Sequence, residues 1–241
     1  MKLKCPILFL IFLGINFSIP AQERIITVGG QIKPIFPSRF FGAGPEIKNE
    51  NGFNYSFEPL SGYAAGMLIR KGYKKNLSVE FGINFVARNY KLSAAKGNEQ
   101  ESAKLRIIGY EIPMSQLVFI RLSERIFMNV SGGLCLNIFP SDVLKNQTNF
   151  QFYAGRKQIF RPGLIANMGF EYRSRKSGYY YIGSSLNRPF GSIYAAAADY
   201  LQNNKVEHSI RTELKGIYLT LDLRYFFHED PQKSINKKKS N

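Results

Sequence analysis

The sequence predicts an all-β chain: an eight-stranded antiparallel up-and-down transmembrane β-barrel, delivered by an export signal. Three observations carry this. Long stretches alternate between a wholly apolar face and a face of Gly, Ser, Asn and isolated charges. Beyond the first 21 residues no stretch approaches the ~18 consecutive apolar residues of a transmembrane helix. Between the alternating stretches, tight and long connections take turns, as periplasmic turns and outer loops do in outer-membrane barrels.

The chain opens with Lys2 and Lys4, an apolar run from Ile7 to Ile15, and Ile19-Pro20-Ala21 before Gln22. This order of positive, apolar and small residues reads as a cleaved signal over residues 1–21. Cys5 precedes the apolar run, whereas a lipoprotein cysteine follows it, so no lipid anchor is expected. That leaves Cys135 as the one thiol of the mature chain, which excludes an internal disulfide.

The barrel is expected over residues 22–228, with strands near 25–36, 62–70, 77–90, 105–120, 127–139, 160–173, 179–190 and 216–227. In the third, Leu77, Val79, Phe81, Ile83 and Phe85 oppose Ser78, Glu80, Gly82 and Asn84. The fifth sets Met128, Val130, Leu134, Leu136 and Ile138 against Asn129, Ser131, Gly133, Cys135 and Asn137. The last is the cleanest, with Leu219, Leu221, Leu223 and Tyr225 against Thr220, Asp222 and Arg224. A soluble β-sandwich also alternates, but its polar face meets water. Here that face mixes small residues with charges of both signs, as a narrow packed lumen requires, and an export signal accompanies it.

Connections near 71–76, 121–126 and 174–178 are tight; those near 37–61, 91–104, 140–159 and 191–215 are long. Pro34, Pro59, Pro113, Pro140, Pro162 and Pro189 are expected at one height, the outer rim, because proline cannot donate to a ladder. Around Pro113-Met114-Ser115-Gln116-Leu117 neither parity is cleanly apolar, so a bulge is expected there. Tyr172, Tyr180, Tyr225 and Phe227 share the outward parity beside the tight turns and form a girdle.

The formal charge is +16. No nucleic-acid motif accompanies it, and export argues against that partner. The charge gathers instead at the tight turns, in a collar of Arg70, Lys71, Lys74, Lys75, Arg175 and Lys176, with Arg121, Arg125 and Arg173 nearby. A basic tail over 229–241 lies on the same side. Such a collar could face inner-leaflet phosphates or an acidic periplasmic or outer-membrane protein partner. The inward parity carries Glu80, Arg88, Glu111, Glu171, Asp222 and Arg224, with Arg70, Arg106 and Arg173, expected to pair within the lumen as a structural network.

No catalytic set is expected, and neither a cofactor nor a metal. The chain has two histidines, His208 in the last long connection and His228 past the last strand. His208 has Ser209 beside it and Asp199 nearby, but sequence neighbours do not make a triad. No G-x-S-x-G, metal-spaced His/Cys set or phosphate loop occurs.

Gly62-Tyr63 to Arg70-Lys71-Gly72-Tyr73, Gly82-Ile83-Asn84-Phe85 to Arg88-Asn89-Tyr90, Tyr110-Glu111-Ile112-Pro113 and Tyr218 to Phe226 resemble the PorT-like small outer-membrane barrels of Bacteroidota. The resemblance spans the whole mature chain and implies an outer-membrane barrel with no family-wide catalytic residue. Some members are associated with type IX secretion or gliding. The leading expectation is a non-enzymatic barrel that anchors, scaffolds or binds through its outer loops or basic turns, with membrane lipid around it. The alternatives are an accessory subunit of a secretion or assembly complex and, less favoured, a lipid-modifying enzyme.

Overall fold

The computed structural model describes residues 26–37, 44–97, 99–174, 177–202 and 205–227. The expected signal and basic tail, with Arg175, Lys176 and His228, lie outside the described residues. The strands are β1 (Ile26–Phe36), β2 (Glu46–Glu50), β3 (Phe53–Lys74), β4 (Leu77–Lys96), β5 (Glu99–Arg121), β6 (Ile126–Ile138), β7 (Val143–Asn146), β8 (Phe150–Arg156), β9 (Phe160–Arg173), β10 (Tyr179–Pro189), β11 (Tyr194–Gln202), β12 (Lys205–Leu214) and β13 (Tyr218–Phe226).

Eight of them close into a ring in the order β1-β13-β10-β9-β6-β5-β4-β3, with β1 pairing β3 to complete it. Every pairing in the ring is antiparallel. These are the eight stretches marked by alternation in the sequence. Closure leaves the ring without an edge, so each backbone donor finds a neighbour.

Burial is inverted relative to a water-soluble protein. Ile32, Met67, Ile83, Ile112, Leu134, Met168, Ile182 and Leu223, one from each ring strand, point outward and are 41–61% exposed. Lys33, Arg70, Glu80, Glu111, Asn129, Glu171, Asn187 and Asp222, again one per strand, point inward and are at most 6% exposed. A continuous apolar belt of this size is stable against lipid tails rather than water. Tyr180, Tyr225 and Phe227 form the expected aromatic group at its lower edge, with ring centroids 5.2 and 5.4 Å apart in sequence.

The expected bulge at Pro113 is absent. β5 alternates strictly, and its register to β4 is the same on both sides of the proline, with Phe81 opposite Met114 and Asn84 opposite Glu111. The apolar parity fails there for a different reason. Leu117 and Phe119 face inward, and Gln116 faces outward, where its amide donates to the Tyr73 hydroxyl at 2.8 Å. Pro113 also sits between exposed Ile112 and Met114 inside the belt, not at the rim. Pro34, Pro162 and Pro189 do lie within two residues of a strand end.

The bulge lies in β3. Leu60 pairs Asn89 and Tyr63 pairs Ala87, so β3 carries one extra residue across that interval. Inward positions are even below it (Ala64, Leu68, Arg70) and odd above it (Phe53, Tyr55, Phe57). Gly62 is required here, because a Cβ would come within 2.2 Å of the Ala87 carbonyl oxygen.

The long connections are folded rather than irregular. β3, β4 and β5 run on past the rim and, with β2, make one sheet; β7, β8, β11 and β12 make a second. The two enclose a core of Phe53, Tyr55, Phe57, Leu92, Leu105, Phe150, Phe152 and Tyr194, all at most 5% exposed. At one side of this cap the Glu101 carboxylate accepts the backbone N–H groups of Asn149 and Phe150, each at 3.1 Å. At the other, Lys48 Nζ donates to the Arg211 carbonyl at 2.7 Å and Thr212 donates to Glu46. Side chains thus occupy the flanks where sheet edges would otherwise invite a further strand.

Candidate functional site: the sealed lumen and the outer cap

Alternation sends every second residue of the ring strands inward, and in so narrow a ring their charged ends meet. At the lower end Arg173 Nε lies 2.7 Å from Glu171, whose other oxygen lies 2.5 Å from Arg70 Nη1. Arg70 continues to Glu80 at 3.0 Å, Glu80 to Arg224 at 2.7 Å, and Arg224 to Asp222 at 2.7 Å. Lys33 ends the relay, 3.5 Å from Asp222. Each carboxylate bridges two cations, so no member of the relay is a buried charge alone. The Arg173 guanidinium also lies over the rings of Phe119 and Phe127, 4.9 and 4.1 Å from their centroids, which closes the lower mouth.

A second, separate pair sits higher. Arg88 Nη2 donates to Glu111 at 2.8 Å and to Asn137 at 3.2 Å, and the Tyr218 hydroxyl donates to Glu111. Phe139 and Tyr218 present their rings to the same guanidinium, at 5.2 and 5.0 Å. Between the two groups, Asn167 takes the Tyr181 hydroxyl at 2.7 Å and gives its amide to Asp222 at 3.0 Å. The lumen is filled by side chains in mutual contact, not by a bore.

The structure therefore joins Glu80, Glu171, Asp222 and Arg224 in one network and sets Arg88 with Glu111 in another. Arg70 belongs to the first network rather than to the basic collar, being 4% exposed between Glu80 and Glu171. Arg106 is a further correction: it faces outward from β5 and donates to Asn89 at 3.2 Å. Lys71, Lys74 and Lys75 are exposed around the first tight turn. Sequence reasoning overlooked Lys33, although its parity with Thr27, Gly29 and Gln31 on β1 already pointed inward. It also overlooked Tyr218 and Tyr181 as inward hydrogen-bonding groups.

In the cap, His208 stacks on Phe53 with centroids 4.6 Å apart. Its Nδ1 lies 3.1 Å from the Tyr55 hydroxyl and its Nε2 lies 3.4 Å from the Asn51 amide. Ser209 donates to Asp199 instead of to the imidazole, so these three residues do not form a nucleophile–base–carboxylate relay. Burial, then the charge of Asp199, pushes the Tyr55 phenol up to about 12. Burial likewise raises Tyr194 to about 12, and its hydroxyl donates to the Ser141 carbonyl at 2.6 Å. Among the described residues no cluster of His, Cys, Asp and Glu has the arrangement of a metal site.

An apolar exterior, a charged interior and an edgeless ring occur together in one architecture. The fold is that of the small outer-membrane β-barrels. The solved outer-membrane protein OprG from Pseudomonas aeruginosa is similar, with a TM-score of 0.54 at 13% identity over 85% of this chain and 96% of that one. The outer-membrane protease OmpT from Escherichia coli matches with a TM-score of 0.32 at 9% identity, covering 86% and 98% of the two chains. No family model and no curated protein matches the sequence.

Proposed function

We propose that the chain is an integral outer-membrane barrel with no through-channel and no catalytic role, which anchors a folded outer cap and binds through that cap or its basic periplasmic turns. The observation that carries this is the filled lumen: a relay of paired charges runs from Arg173 to Lys33, with aromatic rings at its lower mouth. A barrel stoppered in this way offers surfaces rather than a path. The engagement of His208 by Tyr55 and Asn51, away from Ser209, supports the non-enzymatic reading. On this reading residues 1–21 are the cleaved signal, 229–241 a periplasmic basic tail, and the kinship is with the PorT-like barrels.

The exposed lysines at 71, 74 and 75 favour one second reading, an accessory subunit of a secretion or assembly complex that docks an acidic periplasmic partner. Two measurements test these readings. Purified barrel in planar bilayers should show no sustained conductance, and an open channel of stable size would overturn the stoppered-lumen reading. Affinity capture from detergent-solubilised outer membranes then decides between the roles. A stoichiometric partner lost on Lys71→Gln/Lys74→Gln supports the accessory subunit, and recovery of the barrel alone supports the anchor.

A further inference from the structure

We propose that the outward face of β3, β4 and β5, just above the apolar belt, binds the phosphate of an outer-leaflet lipid headgroup through Lys91, Lys104 and Arg106. The proposal rests on the outer-membrane reading above. Tyr63, Phe85 and Tyr110 lie on adjacent strands with neighbouring ring centroids 6.1 Å apart, and mark the upper edge of the belt on this side. Above Phe85 and Tyr110 come Ala87 and Ile108, level with Tyr63; the next outward row is Leu60, Asn89 and Arg106, and the row beyond it is Glu58, Lys91 and Lys104.

Lys91 and Lys104 are direct cross-strand partners, with Arg106 two positions below Lys104 on the same face. Like charges placed directly opposite repel across about 5 Å and weaken a sheet, and an anion held between Lys91 and Lys104 would offset that repulsion. Glu58 is the only carboxylate in the two rows, and neither lysine forms an ion pair with it or with any other described residue. The exposed Arg106 guanidinium gives its Nε to Asn89, and its two terminal nitrogens have no partner among the described residues. A planar fork and two ammonium groups on one face suit a phosphate oxygen set. Their place decides the source. The cations continue upward from a lipid-covered surface, at the depth where headgroup phosphates of the surrounding leaflet lie.

The test uses the full barrel folded in a neutral detergent and native mass spectrometry of retained lipid, with diphosphoryl lipid A, dephosphorylated lipid A and inorganic phosphate as probes. The expected result is retention of diphosphoryl lipid A by the wild type, a loss of roughly tenfold to a hundredfold in Lys91→Gln/Lys104→Gln/Arg106→Gln, and recovery in Lys91→Arg/Lys104→Arg. Dephosphorylated lipid A should bind the wild type no better than it binds the triple variant. Equal retention of both lipids, or an unaffected triple variant, overturns the proposal. Displacement by inorganic phosphate at the same concentration as the lipid would instead show a free-anion site and also overturn it. Heat-modifiable migration of each variant on unboiled gels is read alongside. A chain that stays in water without detergent defeats the membrane reading itself, whereas a folded barrel that ignores the phosphate defeats only this inference.

Discussion

A charge is worth different things on the two sides of this wall, and two substitutions measure the difference. Glu80 accepts from Arg70 and from Arg224 and has 6% of its surface exposed. Glu80→Gln keeps the shape but leaves two buried guanidinium groups sharing the remaining carboxylates, Glu171 and Asp222. Breaking a buried pair on one side costs about 3–5 kcal/mol. The variant should therefore lose its compact, heat-modifiable band at a clearly lower temperature than the wild type, and an unchanged transition would show that the relay contributes no stability. Leu221 stands on the other side, 40% exposed, between Leu219 and Leu223 in the belt. Leu221→Arg puts an unpaired charge where lipid tails lie, at about 2–4 kcal/mol near the midplane. Reduced folding yield in lipid vesicles is expected, and full yield would mean that this face is not covered by lipid.

At the scale of strands, one extra residue decides which way the residues from Phe53 to Leu60 face. The β3 bulge between Leu60 and Tyr63 lets a single strand serve a polar-lined barrel below and an aromatic-cored cap above. Deleting Ser61 removes that residue, and a slip of one position turns Phe53, Tyr55 and Phe57 from the cap core to the surface. The deletion should leave a barrel that still migrates fast unboiled but whose cap is cut by added protease; a resistant cap would show that the bulge does not set the facing. The ring strands were legible because one face of each is lipid-covered, which makes period-2 alternation nearly free of exceptions. The cap strands were not read, since their apolar face is short and the parity of β3 changes at the bulge. One local signal was present all the same. Asn51-Gly52 joins Glu50 to Phe53 with positive φ at both residues, 51° and 79°, the mark of a two-residue hairpin turn. Pro113 misled in the opposite sense: inward Leu117 and Phe119 imitate a broken parity in a strand that is regular. The charges of the lumen were readable from parity alone, but their partners were not. Closing the ring brings Arg70 to Glu171, 101 positions away in sequence.

For the molecule as a whole, an even number of ring strands determines where everything else must lie. β1 and β13 pair antiparallel, with Gly29 opposite Phe226, so the first and last described residues emerge at the same end of the barrel. The turn between Lys74 and Leu77 opens at that end too, while the cap, including the turn at Gly97, stands at the other. In an even-stranded barrel inserted from the periplasm, both chain ends stay on the periplasmic side. On the proposed outer-membrane reading the cap faces the cell exterior, and Lys71, Lys74 and Lys75 face the periplasm. A protease-cleavable tag inserted at Gly97 should accordingly be cut on intact cells, and one inserted after Lys75 only once the envelope is opened. Both insertions sit in turns, so neither interrupts the ring ladder. The reverse result, cleavage at Lys75 with protection at Gly97, would require the whole chain to have threaded through the membrane before pairing. It would also move the Lys91–Lys104–Arg106 face to the inner leaflet, so binding of an outer-leaflet phosphate there requires the orientation that these tags report.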